Sequence, residues 1–176
     1  PQSAGGRTIT TTEPKFIPQE AVELKLAGEV TIRVRLVDCV GFMVEGAAGH
    51  LEDGAERLVK TPWYDHEIPF TQAAELGTRK VITDHSTIGV VVTTDGSFSD
   101  LPQETYLDAE NQAISELKKL HKPFLVLVNS SHPSSRTARE AAERIEKQHS
   151  VAAMPVNCAQ LSEEDIRQIM EQILYE

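Results

Sequence analysis

Three short apolar runs, each followed by an amphipathic stretch, constrain this fold most. The runs are residues 87–93, 123–128 and 152–156. The first two are apolar almost throughout, without the alternation of a half-exposed strand. Parallel strands lose that alternation when both faces are covered. Between and around the runs, residues 71–83, 105–120 and 135–149 have helical spacing, with Leu107, Ile114, Leu117 and Leu120 marking one buried face. Thr71 is the expected cap of the first helix, which carries Ala73, Ala74, Leu76 and Val81. Ser162 opens a last helix with Glu163, Glu164 and Asp165 in its first turn, where the helix dipole favours negative charge. Ile166, Ile169, Met170, Ile173 and Leu174 form its expected buried stripe. Strands alternating with helices predict a mostly parallel sheet with helices on both faces. In such sheets ligands bind beyond the carboxyl ends of the strands.

Upstream, residues 21–26 and 30–37 alternate apolar and polar around Gly28, the signature of a hairpin. Residues 42–70 contain Gly46, Gly49, Gly54, Pro62 and Pro69 and read as a long loop. Within 176 residues this is one domain's worth of chain. The 17 basic and 27 acidic side chains give a net charge of −10, which argues against general nucleic-acid binding. No run approaches the roughly 20 apolar residues of a membrane span. The first seven residues hold no apolar segment of a signal peptide. Two cysteines, Cys39 and Cys158, suggest no disulfide scaffold and fit a cytosolic setting.

The strand ends carry the chemistry. The second hairpin strand ends in Leu36-Val37-Asp38-Cys39-Val40-Gly41. An apolar strand ending in D-x-x-G has the Walker B form of P-loop nucleotide hydrolases. Its Asp holds the water shell of Mg²⁺, and its Gly lets a backbone N–H approach a γ-phosphate. Taken alone, Asp38 also fits a strand-end cap before a glycine turn. Ahead of the hairpin, Thr10-Thr11-Thr12 fits a switch loop whose threonine ligates Mg²⁺, or a polar linker. The joint spacing of Thr12, the hairpin and Asp38 favours the switch reading.

After residues 123–128 comes Asn129-Ser130-Ser131-His132, where GTPases carry Asn-Lys-x-Asp. Ser130 stands at the Lys position and His132 at the Asp position. Without that Asp, bidentate pairing with guanine is lost. Asn129 is still expected to tie loops together. Asn157-Cys158-Ala159 occupies the fifth GTPase motif, where a backbone N–H meets the base. Cys158 also reads as a small buried residue. No G-x-x-x-x-G-K-[ST] occurs, so the phosphate cradle and the strand before it are expected to be missing. That strand would lie centrally in the sheet. A chain starting at Pro1 and not at Met fits a domain cut after its first helix.

Several segments resemble the stage IV sporulation protein A family of endospore-forming bacteria. They are Thr11-Thr12-Glu13-Pro14-Lys15-Phe16, Arg35-Leu36-Val37-Asp38-Cys39-Val40-Gly41, Thr61-Pro62-Trp63-Tyr64, Gly77-Thr78-Arg79-Lys80-Val81-Ile82, His85-Ser86-Thr87-Ile88-Gly89 and Thr93-Thr94-Asp95-Gly96. The resemblance implies a three-layer P-loop fold of the translation-factor GTPase type, with one antiparallel edge strand and its first strand and P-loop absent. It implies ATP with Mg²⁺ as cofactors, Asp38 as the Walker B acid, and Thr11 and Thr12 as sensor threonines. Hydrolysis would drive irreversible self-assembly of the spore-coat base layer on the outer forespore membrane, in the mother-cell cytoplasm. A small amphipathic membrane peptide and other coat proteins would be partners, and nucleic acid would not. Middle and C-terminal domains would lie beyond Glu176.

Two other readings stay open at this stage. One is a non-catalytic structural module with a degenerate GTPase-like fold. The other is a metal site from His50, Asp53, Asp65, His66 and Glu67, whose spacing fits no standard zinc pattern. The neighbouring Trp63-Tyr64 is expected to anchor its loop to the sheet. Phe42 and Met43 follow the D-x-x-G, so no polar side chain there is placed to orient water.

Overall fold

The computed structural model describes residues 16–44, 46, 51–52, 54–98 and 100–175. The chain divides into two compact units. The larger holds residues 21–34 and 87–176, the smaller residues 1–20 and 35–86.

The larger unit is built on a parallel sheet of β7 (Gly89–Thr94), β8 (Phe124–Asn129) and β9 (Ala153–Val156), in that order. β7 and β8 run in register from Gly89 opposite Phe124 to Thr94 opposite Asn129. The crossovers are α2 (Leu107–Lys119), preceded by a short 3₁₀ turn at Gln103–Tyr106, and α3 (Arg136–His149). The chain closes with α4 (Glu163–Tyr175). Ser135 Oγ caps α3 by accepting the Ala138 N–H at 3.1 Å. At α4, Asp165 N–H donates to Ser162 Oγ while Ser162 N–H donates to Asp165 Oδ2, a reciprocal box that satisfies two orphan donors.

Helices lie on both faces of this sheet, as the α-β alternation predicts. Leu125 and Leu127 of β8 pack with Ile169, Met170 and Ile173 of α4. The opposite face meets α2: a Cβ at Gly89 would lie 2.8 Å from Leu117 Cδ2 and 3.1 Å from Phe124 Cβ. Gly89 is thus the space α2 needs to approach the sheet. Gly89→Val should cost about 1–3 kcal/mol through overpacking, read as a lowered denaturant midpoint with unchanged slope.

Two burial expectations need correcting. On β7, Val90 and Val92 are 40% and 58% exposed, so only one face of that strand is covered. Among the described residues β7 is an edge strand, which explains the difference. The α4 stripe is narrower than expected: Ile166 and Leu174 flank it and stay exposed.

β1 (Phe16–Lys25) pairs with β2 (Thr31–Val37). Gly28 at φ +73° turns the chain between them, and Leu26 N–H donates to Val30 O at 2.8 Å. The tip belongs to the larger unit. There Leu26 is buried beside Leu24, Ile32 and Val34, and Ala27 N–H donates to Glu171 Oε1 on α4.

The smaller unit corrects the expectation of a loop over residues 42–70. β3 (Leu51–Glu52) pairs with β4 (Ala55–Glu56), and β5 (Leu58–Thr61) with β6 (Tyr64–Pro69), both antiparallel. Val59 and Ile68 face each other across the second hairpin and are buried with Ala73 of α1 (Phe70–Lys80). α1 starts one residue before Thr71, whose hydroxyl donates to Glu56 instead of capping the helix. It runs on into a π turn at Val81–His85. The Trp63 ring lies under the Lys80 ammonium of α1 at 5.7 Å, whereas Tyr64 lies on β6 itself, its ring 5.5 Å from that of His66.

No helix among the described residues is long and apolar enough to cross a membrane.

Candidate functional site at the strand ends

In the larger unit, β7, β8 and β9 deliver three loops to one edge of the sheet, and hydrogen bonds tie them together. Thr94 Oγ1 donates to Asn129 O and accepts the Gly96 N–H, both at 3.0 Å. Asp95 follows at once. Its Oδ1 accepts the Ser97 N–H at 3.0 Å and the Ser97 hydroxyl at 2.6 Å, and its carboxylate also bonds the Ser130 side chain. Burial pushes the Asp95 carboxyl up, but the bonds from Ser130 and Ser97 outweigh it and hold it below its usual value. Ser97 Oγ accepts the Ser131 N–H at 2.9 Å, linking the first loop to the second.

Ser130 is fully buried. Besides bonding Asp95, its Oγ accepts the His132 N–H at 3.0 Å. It acts as a strut between loops. Asn129 reaches to the third loop, where Oδ1 accepts the Cys158 N–H at 2.9 Å. Asn157 Oδ1 accepts the Ala159 N–H at 3.1 Å. The N–H groups of Cys158 and Ala159, the expected base contacts, are both satisfied inside the protein. The Cys158 thiol is pushed up by burial and stays protonated at neutral pH. The structure therefore brings Asn129, Ser130, Asn157, Cys158 and Ala159 together. It adds Asp95, Ser97, Ser131 and His132.

In the smaller unit, Asp38 directly follows β2 and is exposed. Its Oδ1 accepts the Cys39 N–H at 2.9 Å, which orients the carboxylate. Gly41 has φ +86°, a conformation glycine adopts without strain. Its N–H donates to Thr78 Oγ1 at 2.9 Å, and the Thr78 hydroxyl lies 3.2 Å from Gly41 O. Thr78, on α1 and 2% exposed, therefore holds both backbone groups of the glycine. Sequence reasoning did not single it out as a site residue, because a threonine on a helix face carries no distinct signal. The Cys39 thiol is also raised, chiefly by burial against the lowering bond from Thr78. A lone oriented carboxylate suits Mg²⁺ that keeps most of its waters and takes other ligands from phosphate oxygens.

Thr11 and Thr12 lie outside the described residues, as do His50 and Asp53. Among the described residues no cluster of three or more His, Cys, Asp or Glu could hold a metal ion. Both cysteines are free thiols.

A family model described as "Stage IV sporulation protein A, ATPase domain" matches residues 1–176. The chain is 48% identical over 176 residues to the stage IV sporulation protein A of Clostridioides difficile (strain 630). It is 42% identical over the same length to that of Bacillus subtilis (strain 168), and also to that of Bacillus anthracis. Each match covers 100% of this chain and 36% of the relative, so the chain spans little over a third of the length of these curated relatives. No solved structure matches.

Proposed function

We propose that this chain, which belongs to the stage IV sporulation protein A ATPase-domain family, is the nucleotide-hydrolysing part of a protein that converts ATP to ADP and phosphate to drive its own assembly during sporulation. The match of the ATPase-domain model to every residue carries this reading. The strand-end loops support it, because cross-linked loops at the carboxyl edge of a parallel sheet are where α/β folds bind nucleotides. The proposed fold is the P-loop type, whose phosphate cradle the sequence does not contain.

The reaction is in-line attack of water on the γ-phosphorus, with ADP leaving. Catalysis then consists of positioning and charge stabilisation. Mg²⁺, when bound, neutralises charge on the β- and γ-oxygens. Asp38 would hold its water shell through the carboxylate oxygen that Cys39 does not engage. Gly41 would offer its N–H to the γ-phosphate by exchanging the bond to Thr78. The hydroxyls of Thr11 and Thr12 would supply the sensor contacts. Asn129, Ser130, Asn157, Cys158 and Ala159 would form the rim around the base. The proposed product is a polymer of the protein on the forespore membrane in the mother-cell cytoplasm, met there by a small amphipathic peptide and other coat proteins.

The test is phosphate release from Mg-ATP by the native full-length protein, with assembly followed by sedimentation. Turnover that precedes pelleting supports the proposal. A protein that pellets without binding or hydrolysing ATP would instead be a structural module.

A further inference from the structure

Threonine is a poor choice for the interior of a helix. Its branched Cβ loses rotamer freedom there, and its hydroxyl competes for backbone groups. Thr78 nonetheless stands on α1, and it is buried. Its hydroxyl accepts the Gly41 N–H at 2.9 Å and lies 3.2 Å from Gly41 O, which accepts its proton. The Cys39 thiol bonds the same side chain. One helical residue thus grips two members of the Asp38-Cys39-Val40-Gly41 turn, with Gly41 37 positions away in the chain. Gly41 is half-buried, and a Cβ there would meet nothing within 4 Å. The grip is therefore made by hydrogen bonds beside open space, not by packing against the glycine.

We propose that Thr78 is a latch on the turn after β2: its hydroxyl competes with a γ-phosphate oxygen for the Gly41 N–H. A backbone N–H is a single donor, so the two acceptors exclude each other. A bond to a charged phosphate oxygen is roughly twice as strong as one to a neutral hydroxyl, so the exchange runs toward phosphate. ADP offers no oxygen at that place and leaves the Thr78 bond closed. Each ATP that binds gives up one Thr78 bond, and each ADP gives up none. Thr78 thereby lowers the preference for ATP over ADP below what Gly41 alone would give. It acts through Gly41 and touches no reacting atom, so it is a positioning residue. The inference rests on the hydrolase reading above.

The experiment measures Kd for Mg-ADP and for the Mg²⁺ complex of adenylyl imidodiphosphate, a slowly hydrolysed ATP analogue that keeps the γ-phosphate. It uses the native full-length protein and its Thr78→Val, Thr78→Ala and Thr78→Ser variants. Valine keeps the shape of threonine and removes the hydroxyl. In Thr78→Val the ratio of the ADP Kd to the analogue Kd should rise about fivefold, the worth of one net hydrogen bond, through tighter binding of the analogue. Thr78→Ser keeps a hydroxyl and should keep the parent's ratio. If Thr78→Val does not fold, Thr78→Ala decides, because it also lacks the hydroxyl and adds no atom to a buried site. A residue that merely supports the turn would weaken both ligands together, or the analogue alone. Either result, or an unchanged ratio without the hydroxyl, overturns the latch, and the hydrolase reading stands as long as the parent binds the analogue. A parent that binds neither nucleotide overturns both.

Discussion

Asp38→Asn should abolish most ATP turnover by the full-length protein while leaving its fold intact. Asparagine keeps the side-chain oxygen that accepts the Cys39 N–H, so the local turn survives. What is lost is the charge that would hold the Mg²⁺ water shell. Metal ions contribute several kcal/mol of transition-state stabilisation, and each 1.36 kcal/mol is tenfold in rate. A fall of at least about 100-fold in kcat at standard Mg²⁺ is expected on that scale, partly recovered at high Mg²⁺. The measurement is phosphate release across a Mg²⁺ titration, with circular dichroism as the folding control. A variant as fast as the parent at every Mg²⁺ concentration would remove Asp38 from the mechanism.

The second large effect is one of stability. Glu110 on α2 is buried, its side chain only 1% exposed. Its Oε2 accepts the Thr93 hydroxyl at 2.8 Å and Arg144 Nη2 at 3.0 Å, and its Oε1 lies 2.8 Å from Arg144 Nη1 outside hydrogen-bond geometry. The triangle joins β7, α2 and α3. Arg144→Ala would leave a buried carboxylate unpaired. Removing one partner of a buried pair costs about 3–5 kcal/mol. The Arg144 side chain is 31% exposed, so the low end applies. A loss of about 3 kcal/mol speeds exchange of the protected amides of β7 and α2 roughly 100-fold, at tenfold per 1.4 kcal/mol. The double variant Glu110→Met, Arg144→Leu should recover most of it, because a buried pair is often replaced by apolar groups at little cost. If the double is as unstable as the single, the unpaired charge is not the cause. His149, at the end of α3, adds a pH dependence. Burial, then the Lys118 charge, hold its imidazole below 6.5 against the pull of Glu110. The unfolded chain therefore takes up the proton first, and stability declines as pH falls through that range.

The layered core was legible in the sequence because its signals are periodic. Uninterrupted apolar runs gave β7 and β8, and the Ile169, Met170 and Ile173 spacing gave the buried face of α4. What escaped was local context. Leu58-Val59-Lys60-Thr61 alternates as a strand should, yet the glycines and prolines around it made the segment read as loop. Val90 and Val92 are as apolar as Val91, so composition could not show that their face is open. The residues of the strand-end site were visible as a departure from the Asn-Lys-x-Asp pattern. Their wiring was not, because hydrogen bonds among Asp95, Ser97, Ser130 and Ser131 depend on three loops meeting in space. Thr78 escaped for the same reason: its partner Gly41 lies 37 residues away in the chain.

The burial of Ser130 bears on how such a site can change over evolutionary time. Rebuilding the guanine-reading pattern here would require a lysine at 130 and an aspartate at 132. A lysine at 130 would place an ammonium where no solvent reaches, and would break the strut from Asp95 to the His132 backbone. An aspartate at 132 alone would add an acceptor to a rim without the ring-covering lysine. The first step destabilises the loops, and the second by itself rebuilds only half of the pattern. Ser130 therefore couples the two positions: any larger or charged side chain there loses the strut, whatever residue stands at 132.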